Sequence, residues 1–148
     1  MKIEFEINEK YKENKIIICT DKITNEIQNL VNKINSIENN TDSIYGYKEN
    51  KMYILSEEQI ETIYSENKKV FVRNVNGEIF EIRKRIYELE RTLPDNFIRI
   101  SNSEIVNFTK VQNLDFKMLG TIILNFYTNR STYVSRRYVK KIKEYLKI

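Results

Sequence analysis

From Tyr45 to Phe126 the chain is cut into strand-length apolar segments, each closed by turn formers, and this rhythm admits little but a mainly β fold. KMYIL, IETIYS, KVFVRNV, EIFEI, FIRI, EIVNF, KVQNLDF and LGTIILNF follow one another in that manner. KVFVRNV and EIFEI flank Asn76-Gly77, the strongest short-range hairpin signal. Helical signals are brief. SEEQ reads as a capping box opening a single helical turn. Ile86, Leu89 and Leu93 mark a short helix stopped by Pro94. Ser135 is placed to cap a last helix running to about Leu146.

The first forty residues follow a different pattern. KIEFEI alternates, setting Ile3, Phe5 and Ile7 on one face of a strand, and KIIIC reads as a second, buried strand that carries an inert Cys19. Between Asp21 and Glu38 apolar residues recur at spacings of three and four, the mark of an amphipathic helix. ENNTDS then gathers turn formers at a boundary. The expected organisation is a ββα unit over residues 1–43 and a β-rich domain over 44–148, α+β and mainly β as a whole. The N-terminal unit is too short for a complete receiver domain. Its helix face leaves two arrangements open, packing on the β body or pairing with a second copy in a homodimer.

Composition removes several function classes. Among 148 residues there is no histidine, one cysteine, three glycines and one proline. The usual general acid/base and metal ligand are therefore missing, no intrachain disulfide can form, and no glycine-rich phosphate cradle exists. Glu57-Glu58 lies in a capping context without partners for catalysis. We expect no enzyme activity, cofactor, metal or small-molecule substrate. No apolar stretch is long enough to span a bilayer and MKIEFEINEK is no signal peptide, so a soluble, cytoplasmic protein is expected. The ten tyrosines suggest packing in preference to base stacking.

Charge is distributed unevenly. Residues 130–148 hold 7 Lys/Arg against 1 Asp/Glu, although the whole chain carries only +4. In the closing segment YVSRRYVKKIKEYLKI, Tyr138, Val139, Ile142, Tyr145 and Leu146 fall within about 120° of a helical wheel, leaving the cations on the rest of the surface. Arg136 and Arg137 lie in the first turn, where free N–H groups already favour an anion and cations do not help the helix dipole. Such a break with a local rule points to an acidic partner, and the competing reading is a basic face that is merely solvated.

FIRISNSEIVNF and the closing helix together resemble the LytTR DNA-binding domain of bacterial transcriptional regulators. The matching residues are Phe97, Arg99, Ser101-Asn102-Ser103, Ile105-Val106-Asn107 and Val134-Ser135-Arg136-Arg137-Tyr138. The resemblance extends over roughly 44–148 and includes IYELERTLP. It implies an elongated arrangement of small antiparallel sheets whose loops, not a recognition helix, enter successive major grooves of bent double-stranded DNA at promoter repeats. Asn102 and Arg137 are the implied base readers, with Lys69 or Lys68 from the loop before KVFVRNV as a third. Ser101, Ser103, Ser135 and Lys140 are the implied phosphate contacts, within a basic patch that includes Arg136. The resemblance also implies a regulatory membrane protein as a partner, of the kind that restrains some members lacking a receiver. This chain departs from the pattern in YTNRSTY, which lacks the glycine usual in that hairpin, and in having no basic residue or histidine in its serine-asparagine-serine step.

Chemistry agrees with these roles. Arginine pairs bidentately with guanine, asparagine with adenine, and lysines and serines hold phosphates. Structural roles compete: Ser101–Ser103 as a plain turn, Asn107 as a partner for buried backbone, Arg99 as an ion-pair partner across strands. Two rival functions remain, a basic-tailed protein-interaction module and an RNA-binding domain.

Overall fold

The computed structural model describes residues 1–39 and 44–148, so the boundary expected in ENNTDS falls largely outside them. The chain divides into an N-terminal unit, Met1–Asn40, and a C-terminal unit, Thr41–Ile148. In the first, helix α1 spans Asn25–Asn39. The Thr24 hydroxyl accepts from the Ile27 N–H at 3.3 Å and starts it. No strand forms over residues 1–24, which corrects the ββα expectation. Alternation specifies which face a strand would bury, but a strand exists only where a neighbouring ladder takes its hydrogen bonds. Ile3, Phe5 and Ile7 are exposed, and so is Cys19, against the expected burial.

The C-terminal unit carries β1 (Ile44–Lys48), β2 (Lys51–Leu55), β3 (Ile60–Glu66), β4 (Lys69–Asn74), β5 (Ile79–Ile82), α2 (Ile86–Thr92), β6 (Phe97–Ser101) and β7 (Glu104–Asn107). After these come β8 (Val111–Phe116), β9 (Ile122–Phe126), β10 (Ser131–Val134) and α3 (Val139–Leu146). Strands β1 to β7 form a seven-stranded sheet in the order β2-β1-β5-β4-β3-β7-β6, and the remaining three form a second sheet, β10-β9-β8. Every ladder is antiparallel.

Two cores explain why FIRI and EIVNF read as unbroken apolar runs. Phe97 and Ile105 face one cluster with Ile63, Val72 and Leu89 of α2. Ile98, Ile100 and Val106 face the other, with Leu124, Phe126 and Ile142 of α3. Strands buried on both faces lose their polar alternation. Ile142 is fully buried while Tyr138, Val139 and Leu146 pack around it, as the helical wheel requires.

Turn chemistry sets the registers. Glu49-Asn50 and Asn67-Lys68 both have positive φ, the two-residue hairpin geometry. Asn76-Gly77 does mark a hairpin, but the loop holds three residues: the Asn74 N–H donates to the Glu78 carbonyl at 2.9 Å, with Gly77 at φ 83. YTNRSTY closes the same way without glycine. The Phe126 N–H donates to the Arg130 carbonyl at 2.8 Å, and Asn129 takes φ 65. Asparagine tolerates that left-handed region. None of the tyrosines is buried, and Tyr45, Tyr53, Tyr87, Tyr127, Tyr133 and Tyr145 are exposed. Tyr53 packs its ring on Phe80 and Tyr145 on Phe108, at centroid distances of 5.1 Å in each pair.

Candidate nucleic-acid interface

Strand pairing delivers the predicted residues to one end of the C-terminal unit. Strand β3 runs beside β7 with Tyr64 opposite Glu104, and the Ser65 N–H donates to the Ser103 carbonyl at 2.8 Å. The Asn67-Lys68 turn that follows β3 therefore emerges beside the Asn102-Ser103 turn joining β6 to β7. Two strand spacings, roughly 10 Å, separate the hairpin centres. At the other side of Asn102, the Ser135 N–H donates to the Ile100 carbonyl at 2.9 Å, which fixes the start of the closing helix against the end of β6. The Tyr138 hydroxyl donates to Asn102 Oδ1 at 2.9 Å and ties the two segments directly. Asn102, Arg136, Arg137 and Lys68 are all exposed.

Local structure holds the Asn102 turn in a defined shape. Arg99 spends its guanidinium on it: Nε donates to the Ser101 carbonyl at 3.0 Å, Nη2 to the Asn102 carbonyl at 2.7 Å, and Nη1 to Glu90 of α2 at 2.8 Å. Arg99 thus pairs with a carboxylate as one reading anticipated, but on a helix instead of a neighbouring strand. Lys141 reaches the other Glu90 oxygen at 3.1 Å. Partial burial pushes the Glu90 carboxyl up; the bonds and charges of Arg99 and Lys141 outweigh that, and the net displacement is downward. Ser101 Oγ accepts from the Ser103 N–H at 3.2 Å and lies 3.4 Å from Ser103 Oγ, so both serines also shape the turn.

The remaining predicted residues are distributed unevenly. Lys68 stands at its turn with φ 64, whereas Lys69 begins β4 and lies 3.9 Å from Glu81. Ser135 occupies the N-cap position but its side chain makes no capping bond, and the first turn is 3-10, Arg136–Tyr138, before α3 begins. Its backbone is engaged instead. Lys140 projects from α3, 89% exposed at its side chain, with Glu144 4.0 Å away. Asn107 is buried: its Nδ2 donates to the Ile60 carbonyl at 2.8 Å while Oδ1 accepts from Asn96 at 2.8 Å and from Thr109. It is structural, as its position after two apolar strand residues suggests.

Sequence reasoning missed a second polar bracket. Glu61, fully buried in β3, accepts from Thr128 and from Arg130 Nη1 at 3.0 Å, and Glu104 of β7 accepts from Thr132 at 2.8 Å. These bonds anchor the β9–β10 hairpin on the larger sheet. Burial raises the Glu104 carboxyl, against the opposing Thr132 hydroxyl and Arg130 charge. Local pattern gives no sign of such pairing, because the partners lie 28 to 69 residues apart. Also unforeseen was the division of LGTIILNF, whose Leu119 and Gly120 belong to a tip preceding β9.

Among the described residues no group of His, Cys, Asp or Glu could hold a metal, and no helix is long and apolar enough to cross a membrane. What the described end offers chemically is amide and guanidinium donors flanked by cations, set on turns at strand ends.

The arrangement matches known proteins. The family model for the LytTr DNA-binding domain matches residues 50–147. Staphylococcus aureus proteins named HTH-type transcriptional regulators are similar over all of this chain and 99% of their own length, at 36% identity for those of strains MSSA476 and MW2 and 35% for that of strain NCTC 8325. Their "HTH-type" label does not describe this fold, since among the described residues no two successive α-helices are joined by a short turn. The solved LytTr DNA-binding domain of a methyl-accepting/DNA response regulator from Bacillus cereus superposes with a TM-score of 0.68 over 72% of this chain and 99% of that one, at 20% identity. With a family model covering most of the chain and the same fold in a solved relative, this chain belongs to the LytTR DNA-binding domain family.

Proposed function

We propose that the protein is a transcriptional regulator that binds double-stranded DNA in a sequence-specific manner through turns, not through a recognition helix. The observation that carries this reading is the juxtaposition of Asn102 with the Arg136-Arg137 turn, bridged by Tyr138 at 2.9 Å. Asn102 keeps a lone pair of Oδ1 and its amide donor for a bidentate pair with adenine, and Arg137 has the fork that matches guanine O6 and N7. Lys68 or Lys69 reads from the neighbouring hairpin. Ser101, Ser103, Ser135, Arg136 and Lys140 contact phosphates, which fixes register and supplies the salt-dependent part of the affinity. A second copy on a repeated half-site, one helical turn or a multiple away, suits such a footprint.

Selection of bound sites from random duplexes, followed by mobility shifts in rising salt, tests the reading. Arg137→Ala should lose about 1–3 kcal/mol of discrimination at one base position. Lys140→Ala should weaken all sequences alike and lower the salt slope by about one. Failure to enrich any sequence above background overturns specific recognition, and equal effects from the two substitutions overturn the division of roles.

A further inference from the structure

The same end of the C-terminal unit carries one more element, of opposite chemistry. Strands β8 and β9 pair as far as Phe116 and Ile122, and the Lys117 N–H donates to the Thr121 carbonyl at 2.8 Å to close a tip. At this tip Met118 and Leu119 are 90% and 92% exposed. Leu119 has φ 68 and Gly120 follows at φ 76. The other non-glycine positions in the left-handed region among the described residues are all polar, namely Glu49, Asn50, Asn67, Lys68, Asn129 and Lys147, so an exposed leucine there stands apart. Two large apolar groups held in water, one of them in a conformation its Cβ disfavours, break local rules without a gain in packing.

Pairing fixes where the tip lies. Val134 of β10 is opposite Ile122 of β9, so Ser135 follows directly beside Thr121. Ser135 in turn bonds to Ile100, two residues before Asn102. The β3–β4 turn, the Asn102 turn, the Arg137 turn and the apolar tip thus succeed one another along one end. Lys117, itself exposed, adds a cation at the foot of the tip.

We infer that the β8–β9 tip is a further contact to duplex DNA, in which Met118 and Leu119 press as an apolar wedge into the minor groove beside the groove entered by Arg137, with Lys117 on a flanking phosphate. The inference rests on the DNA-binding reading above. Apolar side chains of this kind part a base step and bend the duplex, and the unstacking is offset by the extra surface that a bent duplex brings into contact.

The double substitution Met118→Ser with Leu119→Asn, in the full chain, tests this. Asparagine accepts the left-handed region, so thermal stability should be unchanged or higher. The probes are short duplexes enriched by wild-type protein from a random-sequence pool and labelled at both ends, which report affinity by anisotropy and bending by energy transfer. Affinity should fall roughly tenfold, while its salt slope stays unchanged because no cation is removed. The bend should diminish. Wild-type protein that binds these duplexes no better than the double variant, or bends them no more, overturns the wedge while leaving the DNA reading intact. Wild-type protein that retains no duplex at all defeats the DNA reading and the wedge with it.

Discussion

Arg99→Lys isolates the shaping of the Asn102 turn from the contribution of charge. The guanidinium donates to the Ser101 and Asn102 carbonyls at 3.0 and 2.7 Å and to Glu90 at 2.8 Å, from a side chain only 18% exposed. A lysine ammonium can keep the Glu90 bond but cannot span both carbonyls in the fixed fork geometry. Two hydrogen bonds are then lost or handed to water. At about 0.5–1.5 kcal/mol each, discounted because the turn is partly wet, the loss is about 1–2 kcal/mol. For a folded unit near 100 residues that corresponds to roughly 5–15 °C in Tm. Calorimetry measures the loss, and a salt series of mobility shifts measures the consequence for DNA. If Arg99 acts only by holding the turn, affinity for the preferred site drops several-fold while affinity for random duplex and both salt slopes stay near wild type, since the formal charge is preserved. A slope that changes, or a loss shared equally by all duplexes, would show Arg99 to be a phosphate ligand and refute the reasoning.

Other perturbations separate recognition from stability. Tyr138→Phe removes the hydroxyl donor to Asn102 Oδ1 and should cost at most about 1 kcal/mol in urea unfolding, while blurring base preference at the position read by Asn102. Glu104→Gln keeps an acceptor for Thr132 and removes a carboxyl raised by burial. A carboxyl displaced upward stabilises the fold below its unfolded pKa, and that contribution is lost as pH rises through the folded pKa. The stability of the variant relative to wild type should therefore increase from acid to neutral pH, and a flat difference in denaturation midpoints across that range would contradict the assignment. Gly46→Ala places a Cβ 2.6 Å from Phe80 Cβ and 2.8 Å from Leu55 Cδ1, and strand β1 or its neighbour must shift. A loss of about 1–3 kcal/mol in urea unfolding is expected.

Periodicity and turn residues were enough to anticipate most of the C-terminal unit, because they act within a few residues. The strand segments, the short helix before Pro94, the amphipathic closing helix and the Asn76-Gly77 hairpin are all local consequences of side-chain spacing. The same reasoning overreached in the N-terminal unit, where alternation at Ile3, Phe5 and Ile7 meets no ladder. It also placed Cys19 inside, although IIIC forms no strand and the thiol is exposed.

What the tertiary structure alone decided is adjacency. Asn102 and Tyr138 lie 36 residues apart, and only the pairing of β6 with β7, the bond from Ser135 to Ile100 and the seating of Ile142 in the core bring them together. The Glu61–Arg130 pair and the neighbourhood of Met118 and Leu119 depend on the same long-range registers. A sequence records which face of an element is apolar, since that follows from a period of about two or 3.6 residues. It does not record which edge meets which, because that is settled by the simultaneous closure of many ladders around shared cores.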